Sequence, residues 1–261
     1  MQSVVDRPLQ GLRVLVTRPA HQARGQIEQL QALGAEPIAL PLLEIVEVDE
    51  SDAAAFHNIK ARILDIDLYA GVIFVSPNAA RIGARWIDEY WPQLPVGVHW
   101  LAIGAATAGV LAELDIPAYH VAGGFDSEAL LADPLLQHIA GQRFLIIRGE
   151  GGRELLAQTL SARGASIDYA DLYRRECPQY SSEQIKSTIY AQRLSVILIT
   201  SGEALENLLE LAGPVPDLLS TELIVPSRRI AGIAEARGFS RIRIADGPDD
   251  TSMIRAIRPA D

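Results

Sequence analysis

A glycine-rich turn follows one of the most apolar stretches of the sequence. In RFLIIRGEGG, Arg143–Gly152, an arginine and three glycines come directly after an apolar run. Leucines at helical spacing follow until Gly164, so the segment predicts a buried strand, a turn and a helix. The first amides of a helix lack helical partners and the helix dipole favours negative charge there, while glycine lets a ligand approach the backbone. The turn is therefore a candidate site for a carboxylate.

Other apolar runs also end in small residues that precede a predicted helix. Glycine and serine also cap helices in proteins that bind no ligand, so each turn has two explanations, capping or binding. The arginines at strand ends also have two explanations, since each either contacts a ligand or pairs with an acidic neighbour. The candidate substrate-binding residues are Arg18, Ser76, Pro77, Asn78, Gly104, Ala105, Ala106, Thr107, Ser127, Arg148, Gly149, Gly151, Ser201, Gly202 and Ser227.

The sequence offers no familiar catalytic or metal constellation. Its histidines are scattered without metal-ligand spacing, and no serine lies in a G-x-S-x-G elbow. The GEGG turn lacks the lysine and hydroxyl residue of a nucleotide-binding P-loop. Cys177 is the single cysteine, which excludes an internal disulfide and a thiolate zinc cluster and favours a reducing compartment. We therefore expect no metal site and no nucleotide.

Composition narrows the class of protein further. The net charge is −10 over 261 residues, which disfavours nucleic acid as a partner. No apolar run approaches the roughly 18 residues that a membrane span needs. The N-terminal residues show neither an apolar segment nor a cleavage site typical of a signal peptide, so we expect a cytoplasmic protein.

The chain contains an internal repeat. A shift of 130 positions aligns the segment from Arg13 with the segment from Arg143 without a gap, and roughly a quarter of the positions are identical. Both segments predict strand, turn, helix, glycine stop and strand. Two shorter matches follow in the same order, around Ser76 and Ser201 and then around Gly104 and Ser227. A duplicated α/β module explains all three.

The predicted strands number five in each module, near 13, 37, 72, 98 and 118, and near 143, 167, 196, 222 and 241. Alternation with helices predicts parallel sheets covered on both faces, and we expect a flavodoxin-like strand order in each. The repeat does not decide which strands share a domain. The segments IALPLLEIVEVD and ADLYRRECPQY exceed a normal strand length, which suits a two-stranded link between domains.

Six motifs in series carry a resemblance to a known family, the uroporphyrinogen-III synthases. The resemblance spans nearly the whole chain, and one of the six motifs contains the glycine turn described above. The motifs are VTRP at Val16–Pro19, FVSPNA at Phe74–Ala79, AIGAATA at Ala102–Ala108, FDSEALL at Phe125–Leu131, RGEGGRELL at Arg148–Leu156 and LYRR at Leu172–Arg175.

The resemblance implies a fold of two flavodoxin-like domains joined by a β-ribbon. Residues 1–42 and 177–261 would form one domain, residues 46–170 the other, and residues 43–45 and 171–176 the ribbon. It also implies the cyclisation of hydroxymethylbilane, a linear tetrapyrrole with eight carboxylates, with loss of water and inversion of the last ring. It implies no cofactor. The absence of a heptad seam in the sequence fits a monomer.

Tyr173, in the LYRR motif, is the candidate catalytic residue that the resemblance implies. A phenol is protonated at neutral pH and can donate a hydrogen bond to a departing hydroxyl. The alternative is a ribbon tyrosine that only packs by its ring. Holding the two ends of the substrate together is a positioning task, which we expect the shape of the binding cleft to perform.

One departure from the family pattern and one rival function stay open. Ile230 stands where many members of the family carry a threonine, and it cannot donate a hydroxyl hydrogen bond. The rival is a two-domain protein that binds a small molecule without catalysis. A receiver module is disfavoured, because the strands near 13, 72 and 143 do not end in acidic residues.

Overall fold

The computed structural model describes residues 7–124, 126–152 and 154–257, so that Phe125 and Arg153 of two quoted motifs lie outside the described residues. The chain divides into two units, one of Met1–Glu44 with Glu176–Asp261 and one of Ile45–Arg175. Each unit has its own five-stranded sheet. Among the described residues, no helix is long and apolar enough to cross a membrane.

Strands and helices alternate through most of the chain. The strands are β1 Arg13–Val16, β2 Glu36–Ala39, β3 Glu44–Glu47, β4 Gly71–Phe74, β5 His99–Ala102, β6 Arg143–Gly149, β7 Ser166–Glu176, β8 Val196–Leu198, β9 Glu222–Val225 and β10 Ile242–Ile244. The helices are α1 Ala20–Ala32, α2 Ala53–Leu64, α3 Pro77–Tyr90, α4 Ala105–Glu113, α5 Ser127–Ala132, α6 Leu155–Ala162, α7 Ser182–Ile185, α8 Gly202–Ala212, α9 Pro216–Ser220, α10 Arg228–Ala236 and α11 Asp250–Arg255.

The sheet of the first unit has the order β10-β9-β8-β1-β2, with parallel pairing throughout. Counted along the chain within this unit, that order is the flavodoxin-like 2-1-3-4-5, which confirms the prediction for this unit. Apolar clusters cover both faces of the sheet, one around Leu15 and Ile197 and the other around Val14 and Leu198. Neighbouring residues of a strand point to opposite faces, so β1 and β8 supply both clusters.

The sheet of the second unit has the order β3-β7-β6-β4-β5 and departs from the flavodoxin-like order at both edges. β3 lies beside β7, and the strand expected near 118 is wrong, because only a single bridge joins Tyr119 to Leu101. Pro117 precedes that bridge and Gly123 and Gly124 follow it closely. Proline lacks an N–H and glycine favours turns, so this segment cannot extend the ladder. The remaining order, β7-β6-β4-β5, matches the first unit.

The internal repeat is visible in the strand register. Arg13 of β1 lies opposite Glu36 of β2, and Arg143 of β6 lies opposite Ser166 of β7, so the shift of 130 is kept on both strands. The two copies of this unit enter different sheets. β1 and β2 join the sheet that holds β8 and β9 from the second copy, with β1 paired to β8, whereas β6 and β7 join the sheet that holds β4 and β5 from the first, with β6 paired to β4. The duplicated elements are therefore exchanged between the units.

Both copies of the repeat end their helix at a glycine. Gly34 and Gly164 have φ of +90° and +86°, in the region that residues with a Cβ avoid. After Gly164, the amide of Ala165 donates to the carbonyl of Leu160 at 3.2 Å, which closes the helix end and starts β7. The glycine thus sets where the following strand begins.

Gly164→Ala should destabilise the protein by about 1–2 kcal/mol, because the alanine is forced into a left-handed conformation. The added Cβ would also lie 3.1 Å from the Cβ of Ala140. Gly109→Ala is the matched control in the same unit, since Gly109 lies within α4 and an added Cβ meets nothing within 4 Å. That change should stabilise by about 0.5–1 kcal/mol. Urea unfolding measures both, and equal midpoints for the two variants would contradict the assignment.

Candidate active site

A cavity of about 310 Å³ lies in the second unit at the carboxyl ends of β4, β6 and β7. Ligands of open α/β sheets bind at this edge, where parallel strands end and helices begin. Six of the predicted site residues meet here. They are Ser76, Ser127, Arg148, Gly149, Gly151 and Tyr173.

Tyr173 is almost fully buried, with 5% of its surface exposed, and its ring packs on Gly149. A Cβ at Gly149 would lie 2.6 Å from Cζ of Tyr173, so this position has room only for glycine. The phenol oxygen lies 3.1 Å from Oγ of Ser76. Ser76 is the N-cap of α3, where its Oγ accepts the amide of Ala79 at 3.1 Å. Helix α3 therefore holds the hydroxyl that orients the tyrosine.

The glycine turn departs from regular strand pairing at the cavity. The register of β6 and β7 shifts between Arg148 and Gly149, so Gly149 faces Tyr173, and the amide of Glu150 donates to the carbonyl of Tyr173 at 2.7 Å. Gly151 and Gly152 follow with φ of +73° and +110°, which requires glycine at both positions. Among the residues that the structure describes, no hydrogen bond uses the amides of these two glycines. Both amides are thus available to an anion.

The Arg148 guanidinium is held by two carboxylates and an aromatic ring. Its Nε donates to Asp171 at 2.8 Å, its Nη1 donates to Glu154 at 2.9 Å, and its Cζ lies 3.8 Å from the centre of the Tyr169 ring. The Tyr169 hydroxyl donates to the second oxygen of Glu154 at 2.7 Å. Of the two explanations for Arg148, the structure therefore shows pairing with acidic neighbours.

The pKa values in this cluster follow from these contacts. Burial and the hydrogen bond to Glu154 raise the pKa of Tyr169 to about 12. The hydrogen bonds from Tyr169 and Arg148 hold the pKa of Glu154 below its ordinary value. Burial acts to lower the pKa of Arg148, but its hydrogen bonds to Glu154 and Asp171 outweigh this and raise it. At neutral pH Arg148 is therefore charged, Glu154 is ionised and Tyr169 keeps its phenol proton.

In the first unit, the predicted residues also lie at carboxyl ends of strands. Ser201 and Ser227 are N-caps, accepting the amides of Ala204 at 3.0 Å and Ile230 at 3.4 Å. Arg18 pairs with Asp250 at 3.1 Å and donates to the carbonyl of Pro248. Gly202 begins α8. Capping is therefore the observed role of both serines.

A larger cavity of about 710 Å³ lies in the first unit, at the amino ends of the strands of that unit's sheet. It is lined by residues at the amino ends of strands, such as Ser195 and Arg241, and by none of the predicted site residues. In parallel α/β sheets the amino ends carry few helix N-termini. The smaller cavity at the carboxyl ends is therefore the better candidate.

The remaining candidates lie around the N-termini of α3 and α4. Pro77 and Asn78 form the first turn of α3, and Gly104 is the N-cap of α4 with φ of +79°. Ala105 and Ala106 are exposed, whereas Thr107 is buried with 2% of its surface accessible, so its hydroxyl is directed into the protein rather than toward solvent. Because Ala105 and Ala106 have small, exposed side chains, the backbone amides in the first turn of α4 are accessible to a ligand.

Asp126 and Gly152 line the cavity but were not predicted. Asp126 caps α5 by accepting the amide of Ala129 at 2.9 Å, and the signal for it was an aspartate directly before the SEALL helix. Gly152 was within the quoted glycine turn. In the described part of the chain, no group of three or more histidine, cysteine or acidic residues is arranged to hold a metal ion.

Comparison with known proteins decides the family. Residues 26–255 match the family described as uroporphyrinogen-III synthase HemD. The chain belongs to the uroporphyrinogen-III synthase family. It is 33% identical to the uroporphyrinogen-III synthase of Salmonella typhimurium over 262 residues, which covers 95% of this chain and 100% of that protein. It is 32% identical to that of Escherichia coli over 256 residues, with the same coverage. The family acts on a linear tetrapyrrole, hydroxymethylbilane.

Solved structures of the family share the fold. A mutant uroporphyrinogen III synthase from Thermus thermophilus superposes with a TM-score of 0.60 at 17% identity, covering 94% of this chain and 96% of that chain. The enzyme from Helicobacter pylori gives 0.59 at 13% identity with the same coverage. These superpositions support the two-sheet α/β fold. The family assignment rests on the sequence matches, because the identities to the solved structures are low.

The Ser76–Tyr173 hydrogen bond should appear as a coupling energy of about 0.5–1.5 kcal/mol in a double-mutant cycle of Ser76→Ala and Tyr173→Phe. Urea unfolding of the four proteins measures it. Ser201→Ala is the control for the cap alone, with an expected cost of about 1 kcal/mol, because Ser201 caps α8 as Ser76 caps α3. Strict additivity of Ser76→Ala and Tyr173→Phe would show that the two hydroxyls do not interact.

Proposed function

We propose that this chain is a uroporphyrinogen-III synthase, which converts hydroxymethylbilane to uroporphyrinogen III with loss of water and inversion of the last pyrrole ring. Family membership supports the activity. The observation that carries the proposal is the position of Tyr173, whose phenol lines the cavity at the strand ends beside the glycine turn. A proton donor and an anion-binding backbone are thus adjacent.

We propose that the substrate's carboxylates bind mainly to backbone amides. The Gly151 and Gly152 amides and the N-terminus of α3, all beside the cavity, supply such donors. Each helix terminus contributes roughly 0.3–1 kcal/mol per carboxylate, so several contacts together are needed. A cavity of 310 Å³ is at the small end of ligand sites and takes part of a four-ring substrate.

Tyr173 is proposed to protonate the departing hydroxyl. The Oγ of Ser76 already accepts the amide of Ala79, so its own proton can be donated to the Tyr173 oxygen at 3.1 Å. This leaves the phenol proton directed toward the substrate. The C–O bond of the hydroxymethyl group then breaks with its electron pair on oxygen, water leaves, and a cation conjugated with the first pyrrole remains.

Ring inversion is proposed to be a matter of positioning. The substituted carbon of the last pyrrole attacks the cation and gives a spiro intermediate. The bond from the spiro carbon to the methylene bridge of the neighbouring ring then breaks, its electron pair returns to the last ring, and a cation conjugated with the neighbouring pyrrole remains. The other α carbon of the last pyrrole attacks this cation, and the proton that it loses restores the Tyr173 phenol, which closes the macrocycle with the last ring inverted. Simple end-to-end closure gives the uninverted isomer without an enzyme, so the protein must present the substituted carbon first. No side chain needs to form a covalent bond.

We further propose that the protein acts in the cytoplasm as a monomer, with domains of residues 1–42 plus 177–261 and 46–170 linked by residues 43–45 and 171–176. The single cysteine, which favours a reducing compartment, supports the cytoplasm, and the absence of a heptad seam in the sequence supports a monomer. The pairing of β3 beside β7 supports a two-stranded link.

Tyr173→Phe should lower kcat by about 100-fold, because general acid catalysis contributes on this order, and should change KM by less than about threefold. The assay feeds hydroxymethylbilane, oxidises the products and separates the uroporphyrin isomers by chromatography. The parent protein should give the type III isomer.

Tyr180→Phe is the matched control, because its hydroxyl donates to the carbonyl of Pro41 at 2.8 Å and Tyr180 is not among the residues that line the cavity. It should keep full activity. Unchanged turnover in Tyr173→Phe would remove the proposed acid and leave positioning as the source of catalysis. A parent protein that gives only the type I isomer would favour the rival function, a binding protein without catalysis.

A further inference from the structure

Glu154 occupies a complete two-point receptor for a carboxylate at the cavity. One of its oxygens accepts Nη1 of Arg148 at 2.9 Å, and the other accepts the Tyr169 hydroxyl at 2.7 Å. Arg148 and Tyr169 both line the cavity, together with Tyr173. A donor pair of this kind matches the two oxygens of any carboxylate, including those of a polycarboxylate substrate.

The two carboxylates on Arg148 differ in how firmly they are held. Asp171 lies in β7 directly opposite Arg148 of β6, so the sheet fixes its position. Glu154 precedes α6 and follows the turn whose glycines have positive φ, and its side chain makes no cap hydrogen bond. The side chains of Glu154 and Asp171 are similarly exposed, at 48% and 40%, so the difference lies in the backbone that carries them, a glycine turn for Glu154 and a paired strand for Asp171. Glu154 is therefore the partner that can be released into solvent at small cost.

Given the proposed function, we propose that a substrate carboxylate displaces Glu154 from Arg148 and Tyr169 when substrate binds. The exchange replaces one carboxylate by another, so the largely buried guanidinium is never left without its second partner. Glu154 is then an internal competitor that lowers the apparent affinity for substrate. In the free protein it also keeps Arg148 neutralised, which prevents unrelated anions from occupying the cavity.

Glu154→Gln tests this exchange, because glutamine keeps the size but can accept only one of the two donors through its single oxygen. We expect KM for hydroxymethylbilane to fall about fivefold with kcat unchanged within about twofold, from the difference between charged and neutral hydrogen bonds. Binding of uroporphyrin I, a stable octacarboxylate, should tighten by a similar factor in a fluorescence titration that requires no turnover.

Two controls separate displacement from a general effect of charge. Glu47→Gln removes the same charge from an exposed pair with Arg85 in the same unit and should change KM and Kd by less than about twofold. In an Arg148→Gln background, Glu154→Gln should bring no further tightening, because displacement acts through the guanidinium. Equal tightening in that background would show a field effect and overturn the proposal.

Further outcomes have definite readings. A higher KM and weaker uroporphyrin binding in Glu154→Gln would show that Glu154 positions the glycine turn, and the exchange would be wrong. Unchanged binding would overturn it as well. Tyr169→Phe keeps the ring on Arg148 but removes the same hydrogen bond from Glu154 and from the substrate carboxylate that replaces it, so binding should change by less than about twofold, and a larger change in either direction would contradict the proposal. If the parent protein lacks synthase activity but uroporphyrin binding follows the expected pattern, the proposed function fails and the exchange stands.

Discussion

The pairing of β6 with β7 is the constraint on which the candidate site depends. Seven paired positions align Arg143–Gly149 with Ser166–Tyr173, and the register shifts at the last step. Without that shift, the residue opposite Gly149 would be Leu172, which has no hydroxyl, rather than Tyr173. The shift places the Tyr173 ring over the glycine and brings its carbonyl to the amide of Glu150. One irregular step in the ladder thus sets both the position of the phenol and the start of the glycine turn.

The internal repeat shows how one copy acquired this site and the other did not. At the offset of 130, Gly149 corresponds to Pro19 and Tyr173 to Leu43, so the first copy has neither the close glycine nor the hydroxyl. Arg148 corresponds to Arg18, and both arginines are paired with carboxylates. Their partners are unrelated, because Asp171 corresponds to Pro41 and Arg18 uses Asp250 near the C-terminus. The backbone framework was duplicated, whereas the polar contacts on it arose separately.

Sequence patterns predicted the framework well because their signals are local. The glycine stops at Gly34 and Gly164 and the serine caps are read within a few residues, and the sheets follow from alternating strands and helices. The strand expected near 118 failed, since an apolar alternation there is interrupted by proline and glycine. The contact between Ser76 and Tyr173 joins residues 97 positions apart, so no local pattern could have revealed it. The same holds for Tyr169 beneath Arg148, which depends on the geometry of the sheet.

Under the proposed function, the charges at the site explain how a protein with a net charge of −10 would bind a polyacid. An open cluster of arginines would attract any anion and would be screened by salt, since exposed charges are felt over only about 8 Å at physiological ionic strength. Here Arg148 is neutralised by Asp171 and Glu154, and the available donors beside it are amides of the glycine turn. Amide dipoles act at contact distance and carry no net charge, so they select by geometry. A substrate with carboxylates spaced to match several such donors is favoured over a compact anion that can reach only one of them.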